Sequence, residues 1–335
     1  MKVRLLSRHD VALLLTLDDC IAAVERAFGM LGRGEVPPPA VAGVYVPGGA
    51  FHIKAAAAGD RFAAKINGNF FDAVPRIKGV IVLADATDGR PLALMDSIEI
   101  TILRTGAASA VAAKYLARRD ARSALICGCG TQGQMQLQAI LRVLPGIDTV
   151  YALDSDRARS EAFCGTGSEC GTGSQPVHGR VAPALRTADG LRTSPTLTPV
   201  DGFVNADVIV TCTPSRAAIL HRVEPGTFVA AVGADSHEKQ EIAPRLMASS
   251  KVVTDVTEQC ASIGDLHHAI AAGAMTREGV HAELGEIVAG RKPGRENDGE
   301  TIIFDSTGMA LQDVAAATIA YERALASNIG LDFEL

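Results

Sequence analysis

A glycine turn between a short apolar run and an amphipathic segment constrains the fold of this chain more than any other feature. Residues 124–127 are suited to a strand buried on both faces, and residues 134–141 have helical character. Between them Gly128, Gly130 and Gly133 give the spacing G-x-G-x-x-G. There the first glycine permits a tight turn, the second lets a pyrophosphate approach the backbone, and the third lets the helix pack on the strand. The turn predicts a phosphate-binding loop, although glycines also form turns in other α/β proteins.

An acid follows the glycine turn at the distance expected of a ribose ligand. Residues 149–154 are typical of the next strand, and Asp154 ends it 21 residues after Gly133. An acid about 20 residues beyond the glycines binds the adenosine ribose 2′-OH of a dinucleotide. Its charge repels a 2′-phosphate, so the sequence favours NAD over NADP. Arg157 could soften that preference, but a solvent-facing helix residue is the simpler interpretation.

Composition is that of a globular protein. The 335 residues suffice for two domains, and 47% apolar with 21% charged residues is ordinary for a globular protein. A net charge of −6 without a basic block argues against nucleic-acid binding, and the uncharged apolar runs are too short to span a membrane. Residues 1–10 are charged throughout, unlike a signal peptide. We therefore expect a cytoplasmic enzyme with neither a nucleic-acid nor a membrane partner.

The seven cysteines are scattered and odd in number, which indicates free thiols. Cys127 and Cys129 fall in the glycine turn, whose backbone is committed to a phosphate. Cys164 and Cys170 lie in a Gly/Ser-rich stretch, residues 164–174, which predicts a flexible surface loop. Because no second ligand pair accompanies them, we expect no metal site.

The first part of the chain predicts a helix followed by a largely antiparallel sheet. A capping-box pattern starts the helix, and from residue 40 short apolar runs alternate with glycines. Asp88-Gly89, between two such runs, is a hairpin signal. Lys54, Lys65 and Asn67 lie in these runs. Lysines in strands usually face solvent, so periodicity alone assigns them no role.

A long helical stretch at residues 97–117 carries Arg104 in its apolar part. A buried arginine needs a partner, and a substrate carboxylate is an attractive one. Further along, an apolar strand at residues 227–232 leads into Asp235 and Lys239. Because ligands bind at the carboxyl ends of parallel strands, we expect both residues near the nicotinamide.

Four groups of residues together resemble the ornithine cyclodeaminase/μ-crystallin family, in order and spacing across nearly the whole chain. They are Lys65-Ile-Asn-Gly-Asn69 with Asp88-Gly-Arg-Pro-Leu-Ala-Leu-Met-Asp96, the run from Leu103-Arg-Thr-Gly-Ala-Ala to Ala117, Val232-Gly-Ala-Asp-Ser-His-Glu-Lys-Gln-Glu241, and Phe304-Asp-Ser-Thr-Gly308. The family contains cyclodeaminases, ketimine reductases and alanine dehydrogenases. The resemblance implies a homodimer whose sheet domain makes the dimer contact.

The resemblance also implies roles for matching positions. Lys65 and Arg104 look like the ligands of the substrate carboxylate, and Asp235 looks like the catalytic acid/base, with Lys239 as its neighbour. Cyclodeaminases carry an arginine and a glutamate before Lys65. Here those positions are Val41 and His52. Lys54, two residues beyond His52, could replace the lost arginine.

The fold class predicted is α/β, with a Rossmann NAD-binding domain at residues 119–304. A discontinuous α+β substrate-binding and dimerisation domain is expected at residues 1–118 and 305–335, with its final helix running through Tyr321. The catalytic residues predicted are Asp235, Lys65 and Arg104, and the other substrate-binding residues are Lys54, His52, Asn67 and Lys239. The cofactor-binding residues predicted are Gly128, Gly130, Thr131, Gln132, Gly133, Asp154, Ser155, Arg157, Thr211, Cys212, Thr213, Val232, Ser306 and Gly308.

The function predicted is an NAD-dependent oxidoreductase that transfers a hydride between the nicotinamide and Cα of a small α-amino or α-imino acid. A ketimine reductase and an amino-acid dehydrogenase both fit this description. The alternative is a cyclodeaminase that uses NAD catalytically to make proline and ammonia. In that case Glu99 or Glu238 would supply the carboxylate missing at His52. A non-enzymatic NAD-binding protein would need none of the substrate ligands.

Overall fold

The computed structural model of the protein describes residues 2–70, 72–165, 192–195 and 206–335. Of these, residues 2–108 and 309–335 form one compact unit and residues 109–308 form a second. Most of the segment predicted to be a flexible loop, including Cys170, lies outside the described residues. Among the helices that are described, none has the length and apolar character needed to cross a membrane.

The first unit is built on one seven-stranded sheet, whose strand order is β17-β1-β6-β5-β4-β3-β2. Its pairings are antiparallel except that of β1 with β6, so the predicted antiparallel sheet is confirmed. The elements of this unit are β1 (Lys2–Leu6), α1 (Arg8–Leu14), α2 (Leu17–Arg33), β2 (Ala40–Val46), β3 (Gly49–Ala58), β4 (Arg61–Phe70), β5 (Ile77–Asp85), β6 (Pro91–Asp96), the start of α3 (Ile98–Leu116), α10 (Ala310–Ser327) and β17 (Leu331–Glu334).

Local sequence sets the ends of the predicted helix α2. Thr16 and Asp19 form a reciprocal capping box at its start, and Gly34 ends it in the left-handed conformation, with φ 72°. The C-terminal helix α10 packs on β3 and β4, and α2 packs on α10. One face of the sheet is therefore covered by α10. The prediction that the final helix includes Tyr321 is confirmed, and the helix continues for a further turn and a half, to Ser327.

The second unit contains an eight-stranded, wholly parallel sheet of order β15-β14-β16-β12-β10-β7-β8-β9. Its elements are the end of α3, β7 (Ser123–Cys127), α4 (Thr131–Val143), β8 (Thr149–Leu153), α5 (Arg157–Phe163), β9 (Arg192–Pro195), β10 (Val208–Thr211), β11 (Arg216–Leu220), β12 (Phe228–Ala231), β13 (Gln240–Ile242), α6 (Pro244–Ala248), β14 (Lys251–Thr254), α7 (Thr257–Ile263), α8 (Asp265–Ala271), a 3-10 turn (Arg277–Gly279), β15 (Ala282–Glu283), α9 (Leu284–Val288) and β16 (Ile302–Asp305).

The strand order of the second unit is that of a Rossmann-type domain. The chain runs outward from β7 through β8 to β9, then returns to β10 on the other side of β7 and continues to β12. The direction of winding therefore reverses between β7 and β10, where such sheets bind ligands at their carboxyl edge. All four residues of β10, β12 and β16 are buried, as expected of strands covered on both faces.

Several short elements were not predicted from the sequence. They are β1 and β17 at the edge of the first sheet, the helix α1, the separate two-stranded sheet of β11 and β13, and the helices α6 to α9. Each is at most seven residues long, and such short segments carry too little periodicity to be distinguished from loops.

Candidate functional site

The glycine turn has the geometry that its spacing predicts. Gly128 follows β7 with φ 102°, a backbone conformation that residues with a Cβ rarely adopt. A Cβ added to Gly133 would lie 1.9 Å from the carbonyl oxygen of Gly128, so the start of α4 packs directly on the turn. A Cβ on Gly130 would meet nothing within 4 Å, so open space adjoins the backbone at the N-cap of α4. That open backbone at a helix N-terminus suits a phosphate.

Asp154 is fixed against the glycine turn. Its Oδ2 accepts a hydrogen bond of 2.8 Å from the N–H of Cys129, and its Oδ1 accepts one of 3.0 Å from the N–H of Asp156. Ser155, next in the chain, is exposed. Arg157 begins α5 and pairs its Nε with Glu161 at 2.7 Å, on the solvent-facing side of the helix. Within the second unit, the acid and the turn predicted to bind one dinucleotide are therefore neighbours.

The ends of β10 and β12 place the other predicted cofactor residues at the carboxyl edge of the same sheet. Thr211 ends β10, Cys212 and Thr213 follow it, and Val232 follows β12. The Sγ of Cys212 lies 3.3 Å from the carbonyl oxygen of Gly128, and burial raises the pKa of this thiol well above its usual value. Cys212 therefore packs beneath the glycine turn as a neutral thiol.

Ser306 and Gly308 are arranged around Asp255 beyond the end of β16. The Oδ2 of Asp255 accepts hydrogen bonds from the hydroxyl of Ser306 at 3.0 Å and from the N–H of Gly308 at 2.6 Å. Gly308 has φ 75°. This loop is therefore held in one conformation by a buried carboxylate.

Asp235 and Lys239 form an ion pair in the segment after β12. Their Oδ1 and Nζ atoms are 2.5 Å apart, and the Asp235 side chain is 48% exposed. The carbonyl oxygen of Lys239 lies 2.8 Å from the Nε2 of His268. The predicted acid/base is thus a half-exposed carboxylate whose neighbour is a cation.

The first unit brings three of the predicted substrate ligands together. Lys54 and Lys65 are opposite each other on β3 and β4, and with Arg104 of α3 they surround Asp313 of α10. We call these four residues the cation cluster. The Nζ of Lys65 lies 2.9 Å from each oxygen of Asp313, and the Nε of Arg104 lies 3.2 Å from Oδ1. The Oε1 of Gln312 accepts a hydrogen bond of 2.9 Å from Nη1 of Arg104.

All four members of the cation cluster are buried, so strand statistics, which favour exposed lysines, are wrong for Lys54 and Lys65. Burial, together with repulsion by Arg104, lowers the pKa of Lys65 to about 7, although attraction by Asp313 opposes the change. Burial alone would raise the pKa of Asp313, but attraction by Lys65 and Arg104 brings it below its usual value. Two buried cations therefore share one ionised carboxylate, an arrangement that favours binding of a further anion.

His52 and Asn67, two further predicted substrate residues, adjoin the cation cluster on β3 and β4. His52 is opposite Asn67, two residues from Lys54 and Lys65 respectively. The Oδ1 of Asn67 accepts a hydrogen bond of 2.6 Å from the hydroxyl of Ser97. His52 makes an edge-on contact with the ring of Tyr45, with centroids 6.5 Å apart.

The two acids considered as substitutes for a cyclodeaminase glutamate already have ion-pair partners. Glu99 lies 3.3 Å from the Nε of Arg8, and Glu238 lies 2.9 Å from Arg216. Sequence reasoning missed Asp313, although it stands in the apolar start of α10. The available signal was a charged residue among core-facing apolar residues, the same signal that had singled out Arg104.

The fold and these residues define a protein with a Rossmann-type dinucleotide-binding unit and a sheet unit that carries a buried cation cluster. The model of the ornithine cyclodeaminase/mu-crystallin family matches residues 1–328, and the chain belongs to that family. The resemblance inferred from the sequence is thus confirmed.

Known relatives are similar over the whole chain. Alanine dehydrogenase of Archaeoglobus fulgidus is 35% identical over 340 aligned positions, which cover 98% of both chains. The structure of an archaeal alanine dehydrogenase dimer with bound NAD matches with a TM-score of 0.89 at 33% identity, covering all of both chains. That of Thermococcus litoralis Δ1-pyrroline-2-carboxylate reductase with NADH and L-proline matches with a TM-score of 0.87 at 29% identity, covering 99% of this chain and all of that one.

Proposed function

We propose that the protein is an NAD-dependent oxidoreductase that transfers a hydride between the nicotinamide and Cα of a small α-amino or α-imino acid. The observation that carries the proposal is the cation cluster, in which Lys65 and Arg104 share a single carboxylate. A substrate carboxylate supplies the further anion that such a cluster favours. The dehydrogenase and reductase among its relatives act on substrates of this class by name.

The chain's own residues fit a dinucleotide and the chemistry. The open backbone at Gly130 and the fixed carboxylate of Asp154 suit the pyrophosphate and the adenosine ribose. NAD supplies the hydride acceptor, or NADH the donor, when it is bound. Lys65 and Arg104 bind and orient the substrate carboxylate, which fixes Cα. Asp235 exchanges a proton with the substrate nitrogen.

A panel of substrates tests this function. L-Amino acids with NAD, and imino acids or keto acids with ammonia or methylamine and NADH, are followed at the NADH absorbance. We expect turnover with a small apolar member of the panel and greater efficiency with NAD(H) than with NADP(H). The variant Asp154→Ala should narrow that cofactor preference. Absence of any net NADH change across the panel would reject the oxidoreductase function.

The same panel includes the test of the lyase alternative. A cyclodeaminase must hold the distal ammonium of ornithine, which needs an anionic or strongly accepting group. A neutral histidine accepts weakly and a protonated one repels, and His52 stands at that position. We expect ornithine with catalytic NAD to yield little proline or ammonia. Efficient conversion without net NADH change would favour the lyase.

We further propose that the first unit forms a homodimer through the sheet face opposite α10. On that face Phe51, Ile66, Val80 and Leu94 are each 38–40% exposed. Ile66 and Val80 are paired in register, and a cleft of about 940 Å³ is lined by Phe51, Ile66 and Val80. A contiguous apolar face of this kind is typical of an interaction surface. A second copy of this chain is its natural occupant, because the archaeal alanine dehydrogenase structure is a dimer.

Matched substitutions test the dimer. Ile66→Lys places a charge at the centre of the sheet face, whereas Leu13→Lys does so at an exposed leucine of α1. By light scattering we expect the unmodified chain and Leu13→Lys at twice the chain mass and Ile66→Lys at the chain mass. A monomeric unmodified chain would reject the proposal.

A reducing, cytoplasmic location is the simplest setting for this protein. The six cysteines described by the structure are free thiols, and five of them are buried. Buried free thiols are typical of proteins that stay in reducing compartments.

A further inference from the structure

The carboxylate of Glu241 joins the ends of two central strands of the second unit. Its Oε1 accepts hydrogen bonds from the N–H of Thr213 at 2.6 Å and from the hydroxyl of Thr213 at 2.7 Å. Its Oε2 accepts bonds of 2.8 Å from the hydroxyl of Thr211 and from the N–H of Gly233. Thr211 ends β10, Thr213 lies just beyond it, and Gly233 follows β12, so four donors from two strand ends meet on one side chain.

The surroundings of Glu241 leave little room for adjustment. Its side chain is fully buried, and a Cβ on Gly233 would lie 2.5 Å from its carboxyl carbon. Its own strand is also fixed, because the Oδ1 of Asp265 accepts 2.8 Å hydrogen bonds from the N–H groups of Glu241 and Ile242. The carboxylate is therefore a rigid link between the ends of β10 and β12.

The ends of β10 and β12 lie on the side of β7 away from β8, next to the point where the sheet reverses its winding. Asp154 and β8 are on one side of β7, and β10 and β12 are on the other. In Rossmann-type domains a dinucleotide binds across this point. The adenosine, whose ribose Asp154 is proposed to bind, therefore occupies one side, and the nicotinamide half occupies the other. The backbone that Glu241 fixes is thus on the nicotinamide side.

We propose that Glu241 is a positioning residue, which sets the backbone of Thr213 and Gly233 for the nicotinamide half of the dinucleotide. The inference rests on the proposed NAD-dependent function. A carboxylate offers only acceptors, and both backbone N–H groups need one. In Glu241→Gln the amide NH₂ must face either the N–H of Thr213 or that of Gly233, since these bond to different oxygens. The hydroxyl of Thr211 can rotate to accommodate a donor, but a backbone N–H cannot.

Asp207 provides a matched control at the opposite edge of the sheet. It precedes β10, and its Oδ2 accepts hydrogen bonds from the N–H of Arg122 and from the N–H and hydroxyl of Ser123. Like Glu241, it joins two neighbouring parallel strands through backbone and hydroxyl donors. It differs in lying at the amino edge, where parallel sheets of this kind do not bind ligands.

The test compares Glu241→Gln, Asp207→Asn and the unmodified enzyme by calorimetric affinity for NADH and for AMP, and by thermal unfolding. Both variants should unfold at lower temperature, because each sets a donor against a buried or partly buried donor. Glu241→Gln should bind NADH about tenfold or more weakly, yet bind AMP like the unmodified enzyme. Asp207→Asn should leave both affinities unchanged. The milder variant Thr211→Val removes one of the four donors to Glu241 and should weaken the binding of NADH about threefold.

The outcomes separate the inference from the function on which it rests. Unchanged NADH affinity in folded Glu241→Gln overturns the inference, as does an equal loss of NADH and AMP affinity, which would indicate general damage. Should Glu241→Gln fail to fold, Thr211→Val decides: selective weakening of NADH supports the inference, and no weakening overturns it. If the unmodified enzyme binds neither ligand, the proposed function fails and the inference with it.

Discussion

The two units bury charge of opposite sign and compensate for it in different ways. In the first unit, Lys65 and Arg104 share the carboxylate of Asp313, and both basic side chains are at least nine-tenths buried. Gln312 offers Arg104 one more acceptor. Lys65 and Arg104 together carry more N–H donors than these two side chains can accept from.

The second unit instead buries a group of carboxylates that accept mainly from N–H and hydroxyl donors of the same unit, although Oδ2 of Asp265 has no hydrogen-bond partner. Asp305 accepts hydrogen bonds from the N–H groups of Leu266 at 2.8 Å and Asp265 at 3.3 Å. Burial and repulsion by Asp265 raise the pKa of Asp305 well above its usual value, and burial and repulsion by Glu241 raise that of Asp265 to about 7. The members of this carboxylate cluster are Glu241, Asp255, Asp265 and Asp305.

The contrast distinguishes the proposed substrate-binding cluster from a group of buried carboxylates with a structural role. Carboxylates that accept from fixed backbone N–H groups stabilise loops and strand ends, and they can take up a proton where their charges conflict. Cations that share one carboxylate remain attractive to a further anion. The carboxylate cluster is satisfied largely by donors of its own unit, whereas we propose that the substrate carboxylate completes the cation cluster.

Asp313→Asn should be the most damaging substitution. It leaves Lys65 and Arg104 buried without their shared counter-charge, and breaking a buried ion pair in this way costs about 3–5 kcal/mol. The measurement is the free energy of urea unfolding at pH 7. Glu35→Gln, which breaks the exposed Arg33–Glu35 pair, is the control and should unfold at nearly the unmodified midpoint. An unchanged midpoint for Asp313→Asn would mean that the cluster does not depend on its carboxylate.

Asp235→Asn should affect chemistry and leave folding intact. Asp235 is half-exposed, unlike the carboxylate cluster, and loss of an acid/base group costs roughly 10² or more in turnover. Steady-state turnover and NADH affinity are measured together, and affinity should persist. Glu238→Gln alters an exposed acid in the same segment and should keep full turnover. If Asp235→Asn retains normal turnover, the second unit supplies its proton-exchanging group elsewhere.

Much of the second unit could be predicted because its signals are local. The spacing of Gly128, Gly130 and Gly133 encodes one turn, and the distance to Asp154 encodes the next strand end. Strand periodicity and the hairpin at Asp88-Gly89 likewise predicted the antiparallel sheet. Such features need only residues within one or two elements, so the sequence itself contains them.

The partners of the buried charges could not be predicted because they come from distant segments. Arg104 was expected to need a partner, but Asp313 is brought to Lys65 across 248 positions of the chain. Glu241 stood in a recognised motif, yet its role depends on β10, β12 and β13 converging. Periodicity shows which face of an element is buried and does not show which other element covers it.

The charge of Lys65 should control the pH dependence of substrate binding. Burial and repulsion by Arg104 and Lys54 lower its pKa to about 7, although attraction by Asp313 opposes this decrease. Lys65 is therefore protonated below pH 7 and loses its charge above, so kcat/KM should fall by up to roughly tenfold per pH unit above 7. Lys65→Arg keeps the charge and should flatten this decline. Equal profiles for both enzymes would show that another group controls it.

Asp265→Asn should change the stability of the protein only slightly, and the direction of that change is informative. Burial, followed by repulsion from Glu241, raises the pKa of Asp265 from 3.8 to about 7. Between pH 4 and 7 the folded chain therefore holds a proton that the unfolded chain releases, so this group's contribution to stability falls as pH rises. Asparagine keeps the acceptor for the N–H groups of Glu241 and Ile242 and does not titrate. The variant should gain stability relative to the unmodified protein from pH 5 to pH 8.

Asp207→Asn should show the opposite sign. Burial alone would raise the pKa of Asp207, but hydrogen bonds from Arg122 and Ser123 bring it below its usual value. The ionised form is thus the stabilising one, and its contribution is present above the unfolded pKa and lost as pH falls. Asp207→Asn should therefore lose most stability at pH 8, where Asp265→Asn gains. Urea midpoints of both variants at pH 5 and pH 8 provide the measurement. If Asp265→Asn also loses more stability at pH 8 than at pH 5, the ionised carboxylates of the cluster are stabilising. The two units would then not compensate buried charge in different ways.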